Sequence, residues 1–286
     1  MVLPSPNRLR STSPEDAPRG RATRLLLAVF LAVFLAALLA APAGAIAADT
    51  DPPSGRRSGY DFMGRETRAM QDDDAANPAM LWMLEGEALW KRKAGAADKA
   101  CADCHADAAE SMKGVAARYP APDKSGQKLL NLEQRISACR TDNQRATALA
   151  YESRELLALA TYVGRQSRGM PVAVATDARS KPFLQAGRDA FNRRQGQLNL
   201  SCAQCHDDNA GRHLAGNAIP QAHPTGYPLY RLEWQGVGSL QRRLRNCLTG
   251  TRSENLAYGS AGLVELELFL MWRARGMPME TPGVRP

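Results

Sequence analysis

The hydrophobic positions of this 286-residue chain follow a helical period along most of its length. In residues 132–139 and 240–247, apolar residues recur at i, i+4 and i+7, which places them on one face of a helix. Longer helices are predicted from Arg154 to Gln166 and from Gly262 to Arg273, and a Gly-Met-Pro sequence closes each. Because no segment shows the two-residue alternation of a half-buried strand, we predict a mainly α-helical protein.

The predicted helices form two copies of a unit of about 105 residues. The segment Gly86 to Trp90 begins fifteen residues before Cys101, and Gly187 to Phe191 begins fifteen residues before Cys202. The two amphipathic segments follow, and an Arg-Gly-Met-Pro sequence then recurs with an offset of 107 residues. Because a unit of this length fits one domain, we predict two tandem helical domains related by internal duplication.

The N-terminal residues belong to neither copy. Three arginines between residues 19 and 24 precede an apolar run from Leu25 to Ala41, and small residues ending in Ala45 to Ala47 follow. A basic region, an apolar run and an A-x-A sequence are typical of a secretory signal peptide, so we expect cleavage near Ala47 and a periplasmic protein. The alternative is an uncleaved membrane anchor, since the run is almost long enough to span a bilayer.

The chain therefore divides into five predicted parts. The segment after the leader is acidic and polar in part, and we expect it to form a loosely packed arm. The parts are a signal peptide (1–47), an N-terminal arm (48–80), a first domain (81–171), a linker (172–182) and a second domain (183–286).

Each domain contains a C-x-x-C-H motif, the sequence that attaches c-type haem. The two thiols bond the vinyl groups of the haem, and the histidine that follows reaches the iron as the proximal ligand. The chain has four histidines, and two of them hold these positions, which disfavours redox or zinc C-x-x-C motifs beside an unrelated histidine. The motif residues are Cys101, Cys104 and His105 in the first domain and Cys202, Cys205 and His206 in the second. We predict two covalently bound haem c groups, held by two tandem cytochrome c-like helical domains that are related by internal duplication.

The positive charge of the chain does not indicate a nucleic-acid partner. The formal net charge is +8, but the leader alone holds five arginines and two acidic residues. Two propionates on each haem nearly cancel the excess that is left, and no nucleic-acid motif is present in the sequence.

Two cysteines outside the motifs, Cys139 and Cys247, lie on the apolar faces of the amphipathic segments. One interpretation is that they are ordinary buried thiols, or a disulfide joining the domains. The other is that each thiolate is the distal iron ligand of its own haem. Arg243 lies one helical turn before Cys247, where a guanidinium lowers a thiol pKa and binds an oxyanion.

Other side chains compete for the distal position. His213 and His223 lie in a Gly/Pro-rich loop of the second domain, and we expect them to be solvated. Met170 and Met277 each precede a proline, as in small electron-transfer cytochromes. Here the helix comes before the methionine, so we interpret both as packing residues.

From about residue 60 to the C-terminus, the chain resembles the SoxA family, the catalytic dihaem subunits of the SoxAX cytochromes of thiosulfate oxidation. The matching stretches are Cys101 to His105, Ser111 to Pro120, Cys202 to Asn209, Pro224 to Pro228 and Arg242 to Cys247. The resemblance implies that Cys139 ligates the first haem. It implies that Cys247 ligates the second haem and carries a persulfide, and that Arg243 binds the substrate.

The resemblance also implies an activity. Members of the family are L-cysteine S-thiosulfotransferases that couple thiosulfate to a cysteine of the carrier protein SoxYZ, while electrons leave through the monohaem partner SoxX. Two other functions stay open from the residues: a dihaem electron carrier without catalysis, and a disulfide-stapled subunit of a larger cytochrome complex. A ferric spectrum with thiolate ligation favours the enzyme, and a Met–iron band favours the carrier.

Overall fold

The computed structural model describes residues 55–286. The predicted signal peptide and the first residues of the arm lie outside this range. Residues 55–286 belong to one compact unit. None of the helices in the described range is long and apolar enough to cross a membrane. The α-helices are α1 (Arg65–Asp72), α2 (Met80–Lys91), α3 (Ala102–His105), α4 (Ala108–Ser111), α5 (Leu132–Cys139), α6 (Arg154–Arg165), α7 (Lys181–Asn192), α8 (Cys202–His206), α9 (Leu240–Gly250) and α10 (Ala261–Arg273).

Each repeat is built on one pair of long helices. In the first, α2 packs against α6, and in the second, α7 packs against α10. Glycines allow the close approach, because a Cβ atom added at Gly86 would collide with the carbonyl group of Ala158. A Cβ atom at Gly187 would collide in the same way with the carbonyl group of Glu265. Gly86 and Gly187 therefore make equivalent contacts in the two repeats, as the internal duplication predicts.

The chain also contains short strands, which the hydrophobic pattern did not predict. They are β1 (Ala121–Pro122), β2 (Leu129–Leu130), β3 (His213–Leu214), β4 (Asn217–Ala218), β5 (Leu229–Arg231), β6 (Gly236–Gly238) and β7 (Gly283–Arg285). Strand β5 lies between β6, its antiparallel neighbour, and β7, its parallel neighbour. All three residues of β5 are buried, so strands of this length show no alternation of polar and apolar positions.

The two Gly-Met-Pro sequences meet at the boundary between the repeats. Pro171 and Pro278 form an antiparallel bridge. The amide of Val172 donates to the carbonyl oxygen of Met277 at 2.9 Å, and the amide of Met279 donates to that of Met170 at 2.8 Å. These reciprocal bonds give the boundary an approximate twofold symmetry.

The described part of the arm packs more tightly than expected. It forms a 3-10 turn, Gly59–Phe62, and helix α1. The buried Gln71 accepts a 2.9 Å hydrogen bond from the amide of Val284, and Asn77 donates to the carbonyl of Pro282 at 3.0 Å. The arm is therefore tied to the C-terminal strand by polar side chains, which the hydrophobic pattern of the sequence does not reveal.

Candidate haem sites

The second C-x-x-C-H motif lies on helix α8, which begins with a capping box formed by Ser201 and Gln204. Nδ1 of His206 lies 2.7 Å from the carbonyl oxygen of Pro220 and donates its proton there, which leaves Nε2 as the nitrogen for iron. Burial lowers the pKa of His206, so the ring is in the neutral form that binds metal.

Cys247 lies near the C-terminal end of helix α9, whose first turn is capped by Ser239. Together with His206 and Arg243, it lines a cavity of about 160 Å³. Burial raises the pKa of Cys202 to about 11, and the nearby Cys247 contributes to that rise. The structure therefore brings the predicted proximal histidine, attachment thiol, distal cysteine and arginine of the second domain to one place.

The arginines of this cavity differ in their partners. Arg231 pairs with Glu233 at 3.0 Å, and Arg285 pairs with Glu280 at 2.6 Å. Arg243 forms no ion pair with any residue between 55 and 286, and the residues described there as lining the cavity include no Asp or Glu. The guanidinium of Arg243 is thus free to bind an anion.

The neighbouring arginines on α9 face elsewhere. Arg242 lies 3.9 Å from Glu152 and stacks on the ring of Trp234 at 4.4 Å. Arg245 stacks on Tyr258, also at 4.4 Å. Of the three arginines that precede Cys247, Arg243 alone lines the cavity.

The first motif lies on helix α3, the counterpart of α8 in the first repeat. The ring of His105 lies 5.7 Å from that of Trp90, whose indole nitrogen donates to the carbonyl of Ala106 at 3.0 Å. Cys139 ends helix α5. Burial raises the pKa of Cys101, and the nearby Cys139 also raises it. Cys139 therefore lies beside its own attachment motif, as Cys247 does in the second domain.

The donor set in each domain fits a covalently bound haem c. Two thiols are spaced for the vinyl groups, and an imidazole and a further thiol would be available as ligands to the iron. All six cysteines are free, so no disulfide joins the domains within residues 55–286. Met170 and Met277 lie in the paired Gly-Met-Pro sequences, and Met277 packs against the main hydrophobic cluster.

One expectation for this region is wrong. His213 is exposed on β3, as predicted, but His223 is buried and lines the cavity beside Cys247. Its Nδ1 lies 2.8 Å from the carbonyl oxygen of Arg57 in the arm. The loop composition did not reveal this position, because the residue that covers His223 lies 166 positions away in the sequence.

Tyr227 also lines the cavity, and sequence reasoning did not single it out as a site residue. Burial raises its pKa, against the opposing charges of Arg243 and Arg231. The repeat held a signal for it, since Tyr119-Pro120 in the first domain corresponds to Tyr227-Pro228 in the second. Both tyrosines line a second, smaller cavity between the domains.

Comparison with known proteins agrees with this geometry. The family model described as the SoxA/TsdA cytochrome c domain matches residues 85–172 and again residues 186–279. L-cysteine S-thiosulfotransferase subunit SoxA of Pseudaminobacter salicylatoxidans is 38% identical over 80% of this chain and 80% of its own length. The same subunit of Rhodovulum sulfidophilum is 37% identical over the same shares. The crystal structure of SoxXA from P. pantotrophus matches with a TM-score of 0.79 and 33% identity, over 83% of this chain and 92% of the other.

Proposed function

Because the chain belongs to the SoxA/TsdA family of c-type cytochromes, we propose that it is an L-cysteine S-thiosulfotransferase. The reaction couples thiosulfate oxidatively to a cysteine of a SoxYZ-type carrier protein. One observation carries the proposal: Cys247, Arg243 and His206 line a single cavity. An arginine without an ion pair beside a cysteine provides an anion site next to a sulfur atom, as the transferase reaction requires.

The proposal includes two haem c groups, each held by its own repeat. Each haem, when bound, supplies a one-electron acceptor and an iron atom for a sulfur ligand. The residues that would hold the first are Cys101, Cys104, His105 and Cys139. The residues that would hold the second are Cys202, Cys205, His206 and Cys247.

The cavity residues take distinct roles in the proposed reaction. Thiosulfate is a dianion, and the free guanidinium of Arg243 offers it a fork of N–H donors without a competing Asp or Glu side chain in the described lining. Cys247 would carry a persulfide, and the terminal sulfur of that persulfide would bind the thiosulfate group before its transfer. Its place one helical turn after Arg243 sets the anion next to the reacting sulfur atom.

The proposed partners and location follow from the same family. A SoxX-type monohaem cytochrome would take the electrons, and the similar crystal structure from P. pantotrophus is one of SoxXA. The signal-peptide features of residues 1–47 support export to the periplasm. SoxYZ and thiosulfate are proposed here as substrates.

The test is Cys247→Ala in the haem-loaded complex with SoxX, assayed for the carrier S-thiosulfonate by mass spectrometry. We expect no adduct with Cys247→Ala. Cys139→Ala is the corresponding substitution at the haem site of the first domain. Adduct formation by Cys247→Ala at the wild-type rate would remove the proposed role of this cysteine. A wild-type complex that passes electrons but makes no adduct would support the alternative function, a dihaem electron carrier without catalysis.

A further inference from the structure

The proposed transferase reaction releases a proton as well as electrons, and the inference drawn here rests on that proposed function. Thiosulfate and a thiol give an S-thiosulfonate, one proton and two electrons. A cysteine thiol has an ordinary pKa of about 8.5, so at neutral pH most of the carrier cysteine still holds its proton. A group in the cavity that accepts this proton would therefore speed the reaction at neutral pH.

The cavity beside Cys247 contains few groups that can do so. The described lining includes no Asp or Glu, and its arginines stay protonated. Cys247 and His206 are assigned to the iron. Burial raises the pKa of Tyr227, so its phenol keeps its proton at neutral pH. The remaining titratable side chain in the described lining is His223.

His223 is held in the orientation that a base requires. Its side chain is buried, with a residue exposure of 8%. Nδ1 donates its proton to the carbonyl oxygen of Arg57 at 2.8 Å, which fixes the tautomer and leaves the lone pair on Nε2. His206 is anchored in the same manner, through Nδ1 to Pro220 at 2.7 Å. The cavity thus has two oriented imidazoles, and only one belongs to a haem attachment motif.

The surroundings of His223 keep its ring neutral. Burial lowers its pKa, the hydrogen bond to Arg57 raises it, and the positive charges of Arg273 and Arg56 lower it. The carboxylate of Asp207 raises the pKa slightly and is itself bound to Arg273 at 2.5 Å. A neutral imidazole at working pH is the form that accepts a proton.

We propose that His223 is the general base that takes the proton from the carrier cysteine. The sulfur held on Cys247 first bonds the outer sulfur of thiosulfate, and the two electrons released pass to c-type haem, the oxidant that the proposed function supplies. The S–H bond of the carrier thiol then breaks, and the proton moves to Nε2 of His223. A bond forms between the carrier sulfur and the outer sulfur of thiosulfate, while the bond from that outer sulfur to the sulfur on Cys247 breaks. The imidazolium then returns its proton to water, because the nearby arginines disfavour its charge.

The test compares His223→Asn with His213→Asn in the haem-loaded complex. The Asn amide nitrogen at position 223 can still donate to the Arg57 carbonyl, so the arm contact is kept while the basic Nε2 is lost. His213 lies on exposed β3 and is absent from the described cavity lining, which makes it a matched control. The readouts are the rate of adduct formation from pH 6 to 9.5 and the ferric electron paramagnetic resonance spectrum.

We expect His223→Asn to lower the rate about 100-fold at pH 7, within the usual range for a general base. The deficit should shrink to less than about tenfold above pH 9, where the carrier thiol ionises without help. The ferric spectrum should match that of the wild type, and His213→Asn should behave as the wild type throughout.

Three outcomes would overturn the assignment. A deficit of equal size at every pH indicates a structural role, and a changed ferric spectrum indicates that His223 is an iron ligand. A variant that matches an active wild type at every pH shows that His223 takes no part. If the wild type itself forms no adduct, the proposed function fails first, and this assignment fails with it.

Discussion

Glu133 and Glu267 come from different repeats, and both buried side chains line one cavity of about 60 Å³ between the domains. Asn131 donates to Glu267 at 3.2 Å. Burial raises the pKa of Glu133 to about 7, and the nearby Glu152 contributes to that rise. Burial also raises the pKa of Glu267, and so does Glu133. Two acids in one small cavity repel each other when both are ionised, so at least one keeps its proton at neutral pH.

This pair predicts that the folded protein loses stability as the pH rises. Glu133 binds its proton more tightly in the folded chain than in the unfolded chain, where its pKa is near 4.5. The folded state therefore holds more protons between about pH 4.5 and 7, and the free energy of unfolding falls across that range. The expected loss is about 3 kcal/mol. It should be visible in denaturant unfolding of the holoprotein at pH 5 and pH 8.

Glu133→Gln should flatten this pH dependence, because burial raises the pKa of the Glu133 carboxyl and an uncharged amide cannot ionise. Glu254→Gln is the control, since Glu254 is exposed and absent from the described cavity lining. A slope in Glu133→Gln as steep as that of the wild type would show that this carboxyl does not control the titration.

The free guanidinium of Arg243 predicts a selective effect on thiosulfate. Arg243→Ala should lower kcat/KM for thiosulfate about 10- to 100-fold, the value of one or two charge-assisted hydrogen bonds. Arg243→Lys should recover part of the loss, because it restores the charge without the fork. Arg245→Ala should stay within about twofold, since Arg245 stacks on Tyr258 outside the cavity. Equal losses in the Arg243 and Arg245 variants would indicate a general effect of positive charge.

The position of the two distal cysteines predicts the ferric spectrum. Cys139→Ala and Cys247→Ala should each abolish one thiolate-ligated, low-spin signal in electron paramagnetic resonance. Met170→Leu and Met277→Leu should leave both signals intact, because these methionines lie in the boundary between the repeats. A Met–iron band in the wild type that disappears in either leucine variant would contradict this ligand assignment.

The two helix-pair glycines predict a large loss of stability. Gly86→Ala and Gly187→Ala each force a methyl group into a backbone carbonyl of the facing helix, which should cost about 3 kcal/mol or more. Gly250→Ala is the matched control, because nothing lies within 4 Å of a Cβ atom added there. It should leave the unfolding midpoint unchanged or raise it slightly. Equal midpoints for all three variants would mean that the helices can separate without loss.

Much of the haem chemistry could be predicted from the sequence because its determinants are local. The C-x-x-C-H motifs need only one helical turn, and the helical period places Cys139 and Cys247 on apolar faces. Arg243 is found by counting one turn back from Cys247. The internal repeat then predicted two equivalent helix pairs, and the contacts of Gly86 and Gly187 agree with it.

The features that escaped prediction depend on residues far apart in the chain. His223 is buried because Arg57 of the arm lies over it. The hydrophobic pattern places Glu133 on the polar face of an amphipathic helix, yet it shares a cavity with residues of α10 from the other repeat. Strand β7 joins β5 across more than fifty residues of chain, and with so few positions it has no pattern of its own.

The reciprocal hydrogen bonds between the two Gly-Met-Pro sequences have a consequence for how the chain can change. The backbone groups of each Gly-Met-Pro sequence pair with those of the other. Removing either half would therefore expose unpaired backbone groups. A related protein without the cysteines of the first half would still need that half to pair with the backbone of the second. The number of haems in such a protein can therefore differ from the number of its repeats.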